Sequence, residues 1–126
     1  MSEFLFKDET YNIIGACMEV YNQLGKGFNE IIYKDALEIE FQIRKMPHSR
    51  EIHFPIKYKT YNLPHHYFCD FLLFNKIILE VKAIESLSSS HLKQTMNYLA
   101  AAKLNLGLLI NFGEDSLKYK RIILTK

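Results

Sequence analysis

Long hydrophobic runs are missing from this 126-residue chain. No stretch approaches the ~18 consecutive apolar residues that a membrane-spanning helix needs, so none is expected. Cysteine is scarce: Cys17 and Cys69 are the only two, each in an apolar stretch where a thiol behaves as a small hydrophobe. Two cysteines in a chain of this size do not make a disulfide scaffold. An excess of one charge is missing as well. Sixteen Lys and Arg face 14 Asp and Glu, and a net charge of +2 argues against nucleic-acid binding through the whole surface. Any site for a polyanion must be a local patch. The pair His65-His66 invites zinc, but neighbouring strand residues point to opposite faces and a second ligand pair at the usual spacing is lacking. Repeats, low-complexity tracts and linkers are also absent, and 48% hydrophobic residues suffice for one core but hardly two. The expectation is a single domain over residues 1–126. The stretch Met1-Ser2-Glu3-Phe4-Leu5-Phe6-Lys7-Asp8-Glu9 carries acids where a signal peptide has its basic start, which predicts a cytoplasmic protein.

The apolar pattern divides the chain into elements. Ile13, Ile14, Cys17, Val20, Tyr21 and Leu24 recur at helical spacing, and the pattern stops at Gly25-Lys26-Gly27, where glycine suits a helix C-terminus. A second helix starts near Phe28, carries Ile31, Ile32, Ala36, Leu37 and Phe41 on its apolar side, and ends before Pro47. Alternation then takes over at 48–59, with Ile52, Phe54, Ile56 and Tyr58 on one strand face. Tyr61-Asn62-Leu63-Pro64 reads as the turn. Two nearly continuous apolar runs, 67–74 and 77–84, suit central strands covered on both faces. Ser88-Ser89-Ser90 is a ready N-cap for a helix reaching about Asn105, residues 106–112 form a last buried strand, and 121–124 add a short edge element. The order α-α-β-β-β-α-β implies an α/β fold: a mixed sheet flanked by helices on both faces.

Against this apolar background, Asp70, Glu80 and Lys82 lie in the two central strands. Charges moved out of water are normally paired, neutralised or bound to metal. Two acids and one lysine leave a net charge of −1, which favours a hard divalent cation beside a water nucleophile. An ion-pair network kept for structure is the plainer alternative. Asp70 meets Glu80 only if Leu73 lies opposite Ile77, which demands a three-residue turn at Phe74-Asn75-Lys76. A two-residue turn at Asn75-Lys76 would set Asp70 opposite Val81 instead. Asn75 tolerates the left-handed conformation such a loop requires.

Gly27-Phe28-Asn29-Glu30-Ile31-Ile32-Tyr33 resembles the signature of the GxxExxY protein family, part of the PD-(D/E)XK nuclease-like superfamily. Ile14 to Gly25 resembles that family's first helix. Asp70 with Glu80-Val81-Lys82 resembles the superfamily's metal site, although Cys69 stands where the name-giving proline would precede Asp70. Gln94-Thr95-Met96-Asn97-Tyr98 is similar to a Gln-x-x-x-Tyr motif of the RecB-like branch, and Leu108-Leu109-Ile110-Asn111-Phe112 to the last core strand. The resemblance implies a restriction-endonuclease-like fold and metal-dependent hydrolysis of phosphodiester bonds in nucleic acid. It implies that Asp70, Glu80 and the Val81 carbonyl hold Mg²⁺ or Mn²⁺, that Lys82 orients the attacking water, and that Glu30 helps bind a metal or its water. Gln94 and Tyr98 would steady the site or the scissile phosphate.

Each residue also has a structural reading. Glu30 lies in a first helical turn, where the helix dipole favours a carboxylate. Tyr33 suits packing with a polar tip, and Gln94 and Tyr98, one turn apart beside His91, suit an ordinary polar helix face. A domain that keeps the fold without cleaving, as a nucleic-acid-binding or protein-interaction module, is the competing function. A chain this short carries no separate reading module, so a nuclease would need a homodimer, a partner protein or a structured substrate.

Overall fold

Helix α1 (Lys7–Leu24) follows from its apolar spacing and ends where Gly25 takes φ 66 and its N–H donates to the Tyr21 carbonyl. The structure, a computed structural model, describes residues 5–125, so part of the N-terminal stretch read above for a signal segment lies outside the described residues. Helix α2 (Glu30–Ile43) starts two residues later than its apolar pattern, because Asn29 is still extended at φ −72, ψ 160. Tyr33 fixes the connection between the helices. Its ring is fully buried and stacked on Phe112 at 4.4 Å, while its hydroxyl donates to the Gly25 carbonyl at 2.6 Å. The tyrosine therefore packs with a satisfied polar tip.

The strands are β1 (His48–Tyr58), β2 (Tyr61–Leu73), β3 (Ile77–Lys82), β4 (Leu106–Asn111) and β5 (Lys118–Ile123), with helix α3 (Ser89–Ala102) between β3 and β4. They form one sheet in the order β1-β2-β3-β4-β5. Only β3 and β4 run parallel, joined by the crossover helix α3. The architecture is the expected mixed α/β sheet, and the edge element is a six-residue strand paired along all of β4. Helices α1 and α2 bury Ile13, Cys17, Leu37 and Phe41 against Phe71, Leu73, Leu79 and Val81. On the opposite face, α3 packs Tyr98 and Leu99 with Cys69, Ile78 and Leu109.

The expected turn at Tyr61-Asn62-Leu63-Pro64 is incorrect. The hairpin turns at Lys59-Thr60, with Tyr58 opposite Tyr61 and Lys59 at φ 55. Pro64 falls instead in a bulge, where pairing passes from Pro55 opposite His66 to Lys57 opposite Asn62. A residue without an N–H is tolerated there because the ladder is already interrupted. Helix α3 also ends at Ala102, before Asn105, because Lys103 adopts the left-handed conformation.

Candidate active site

The β2–β3 turn sets the site's register. Leu73 lies opposite Ile77, with Phe74-Asn75-Lys76 between them and both Phe74 and Asn75 at φ 56. Extended three residues further, this register brings Asp70 opposite Glu80, but regular pairing stops at Phe71 and Leu79. Carboxylates take the place of carbonyl acceptors from there. The Asp70 N–H donates to Glu80 Oε2 at 2.8 Å, and the Val81 N–H donates to Asp70 Oδ2 at 2.8 Å. The strands are laced together by the two acids themselves.

Side-chain alternation breaks at Asp70. Phe71 and Leu73 belong to the core beneath α1 and α2, whereas Cys69 belongs to the core beneath α3. The neighbouring strand breaks at the matching place. Arg50 reaches Asp35 and Glu38 of α2, Ile52 packs on the α3 side, and Glu51 between them takes φ 54. A glutamate in that conformation is strained. The double inversion leaves Asp70 between the two faces of the sheet. Glu80, alternating with the α2-facing Leu79 and Val81, lies on the α3 side with Tyr98.

Lys34 reaches Asp70 from α2. Its ammonium donates to Asp70 Oδ1 at 3.0 Å and to Glu51 Oε2 at 2.9 Å, and its side chain is only 14% exposed. Sequence reasoning missed this residue. The available signal was its place one helical turn after Glu30, on the same stripe of α2.

Glu80 is 4% exposed, and burial together with the charge of Asp70 pushes its pKa up to about 8. Lys82, half-buried, opposes that rise. Burial raises the Tyr98 hydroxyl to about 12, and the charges of Glu80 and Asp70 add to the rise. The same charges add to the effect of burial on the Cys69 thiol. Tyr98 and Cys69 thus share the electrostatic field of one pair of acids. Gln94 is exposed on α3, and His91 is occupied in a capping box with Ser88. Glu30 opens α2, and among the described residues no three or more His, Cys, Asp or Glu side chains gather into a metal-holding group. Asp70 and Glu80 nevertheless fit a hard cation. They supply oxygen donors, with Glu51 they outnumber the lysines Lys34 and Lys82, and an ion that retains water needs few protein ligands.

The strand end after Lys82 is held by a second residue that sequence reasoning passed over as part of a core strand. Asn111, fully buried, accepts from the N–H groups of Ile84 and Gly113 through Oδ1 and donates to the Ile84 carbonyl and Glu114 through Nδ2. The Phe112 N–H donates to the Lys82 carbonyl at 2.8 Å. The fit is close, since a Cβ on Gly113 would collide with the Ile84 carbonyl oxygen. Asn111→Ala should strip several buried bonds at once and cost about 2–4 kcal/mol. A urea titration reads this as a lower midpoint at unchanged slope; a change below about 1 kcal/mol would mean that Asn111 does not hold this segment.

Comparison with known proteins agrees with this fold. No curated protein sequence matches the chain. Among solved structures, the crystal structure of a protein called SSO0001 matches with a TM-score of 0.61 at 18% identity, over 75% of this chain. The chain spans 50% of that protein's length, and the likeness concerns the fold. The family model of the PD-(D/E)XK nuclease superfamily matches residues 7–122, which include both carboxylates, Lys82, Lys34 and every described strand pairing around them. This chain belongs to the PD-(D/E)XK nuclease superfamily.

Proposed function

We propose that the chain is a single-domain, cytoplasmic, metal-dependent nuclease that hydrolyses phosphodiester bonds of nucleic acid. The observation that carries this reading is the replacement of the β2–β3 ladder by the side chains of Asp70 and Glu80, two strand residues from Lys82. Lys34 pairs with Asp70 and with Glu51, so with Glu80 the three acids outnumber the two lysines, Lys34 and Lys82. Here two acids are pressed together until one is driven towards its protonated form, an arrangement whose natural partner is a cation.

In this reading Asp70, Glu80 and the Val81 carbonyl hold Mg²⁺ or Mn²⁺. Such an ion supplies Lewis acidity at the phosphate and lets water act as a nucleophile near neutral pH. Lys82 orients that water and holds positive charge beside the reacting phosphate. Glu30 assists from the first turn of α2, and Tyr98 and Gln94 steady the phosphate from α3. Glu80 must give up its proton before it can serve as a ligand, so the ion and the proton compete for one oxygen. Substrate choice comes from a second copy, a partner protein or the shape of the nucleic acid.

The test is a cleavage assay on single-stranded and duplex DNA and RNA, with Mn²⁺ or with chelator, and with Lys82→Ala as control. Cleavage that needs the metal and is lost in the control is the expected result. Binding without cleavage on any substrate would favour the non-catalytic module.

A further inference from the structure

From Asp70 outwards, the β1–β2 hairpin continues as an arm beyond the β3 ladder. Strand β2 begins at Tyr61, yet pairs with β3 only from Phe71 to Leu73. One side of this arm is covered: Ile52, Phe54 and Tyr67 pack with α3, and the Tyr67 ring meets Tyr98 at 5.3 Å. The residues alternating with them, His53, His66 and Phe68, project to the other side and are exposed. Their rings form one cluster. His53 and His66 lie 4.2 Å apart edge to face, and Phe68 packs on His53 at 5.0 Å and on His66 at 5.5 Å while remaining 53% exposed. At the arm's end Tyr58, on the strand face of Ile52 and Phe54, lies opposite Tyr61.

The charge of the arm has one sign. From Ile52 to Cys69 the sequence holds Lys57, Lys59 and three histidines, and no Asp or Glu. Cross-strand ring pairs alone are accounted for by hairpin stability. They do not account for leaving Phe68 more than half exposed on a segment free of acids, two residues from Asp70. Flat exposed rings beside cations are the chemistry of base stacking along a phosphodiester backbone, and stacking needs bases that are not already paired.

We propose that the outer side of this arm is a stacking platform for single-stranded nucleic acid, formed by Phe68, His53 and His66 at the end of the arm that leads to Asp70. The proposal rests on the nuclease reading for its direction towards the site. It deepens that reading by naming the strandedness of the substrate.

The experiment is fluorescence anisotropy of labelled oligodeoxythymidine and oligouridine strands, and of the matching DNA duplex, titrated with the full chain in chelator so that no cleavage intervenes. Single strands of either sugar should bind more tightly than duplex. Phe68→Ala should weaken single-strand binding roughly 5- to 100-fold, the loss of about one stacked base. Phe68→Leu, which keeps apolar bulk without a π face, should lose as much, and Phe68→Tyr should restore binding. Thermal melts of each variant separate stacking from folding; should Phe68→Ala melt below the assay temperature, the leucine variant reads the same effect. Equal affinity for duplex and single strand, or full affinity in folded Phe68→Leu, would overturn the platform. Cleavage of duplex alongside that result leaves the nuclease reading intact, whereas platform-dependent binding without metal-dependent cleavage overturns the nuclease reading and leaves the platform standing.

Discussion

Lys82→Met should lower cleavage by about 10²–10⁴-fold, the range associated with losing a group that handles a proton in the transition state, while the protein stays folded. The separation of these effects rests on Lys34. Asp70 already has a counter-charge at 3.0 Å from α2, so removing the Lys82 ammonium leaves that acid paired. Glu80, with its pKa near 8, can carry its proton at neutral pH and need not remain as a stranded charge. Methionine keeps the length and apolar packing of the lysine stem. The melting temperature of Lys82→Met should therefore stay near that of the wild type. Lys34→Met is the contrasting substitution: it leaves Asp70 and Glu51 without their shared partner, and the cost should reach about 3 kcal/mol, as when one member of a largely buried pair is lost. If Lys82→Met unfolded even in saturating Mn²⁺, and the wild type cleaved no substrate, Lys82 would be a structural counter-ion and the nuclease reading would fall.

The second large effect concerns Glu80 and pH. Unfolded, this carboxyl titrates near 4.5; folded, burial and the neighbouring Asp70 charge raise it to about 8. Between these values the native state keeps a proton that the unfolded chain has lost. Its contribution to stability is therefore fully present below about pH 4.5, falls as pH rises, and levels off above about pH 8. Without metal, the wild type should lose stability across this window. The acids whose pKa is lowered, Glu9 and Asp115, act with opposite sign and below it. Glu80→Gln retains an oxygen to accept the Asp70 N–H but has no charge to bury, so its stability should be flatter with pH and higher than that of the wild type at pH 8–9 in chelator.

Metal should reverse the order of the two proteins. An ion bound only by the folded state adds about 2.7 kcal/mol at a hundredfold excess over its dissociation constant. Mn²⁺ should raise the wild-type melting temperature at pH 8, do so less at pH 6, where the proton competes, and have little effect on Glu80→Gln. Identical wild-type melts in Mg²⁺, Mn²⁺ and chelator would count against a usable site.

Much of this molecule is legible in its residues. The helical spacing from Ile13 to Leu24, the glycines after it, the serine cap at Ser88 and the two apolar runs lead to the correct elements because each is a local preference: a periodicity, a cap, a strand covered on both faces. The β2–β3 register was legible as a conditional, since the opposition of Asp70 and Glu80 needs a three-residue turn and Asn75 permits one. The hairpin turn was not. Pro64 is a strong turn signal within its own segment, but the ladder accommodates it in a bulge and turns two residues earlier than the proposed turn began.

What the tertiary structure alone decided is how the acids are held. Charges at 70, 80 and 82 are visible in the sequence; the break in alternation at Asp70 and Glu51 is not, because it arises from two strands inverting together. That inversion places Asp70 within reach of Lys34, a residue separated from it by 36 positions and by a different element. Glu30 and Gln94 show the converse: a motif fixes their identity and spacing, but whether either reaches the carboxylates depends on how α2 and α3 are set against the sheet. Sequence determines periodicity and local conformation through interactions a few residues long. The site depends on long-range packing, which sets both the distance between the carboxylates and the cost of keeping both charged.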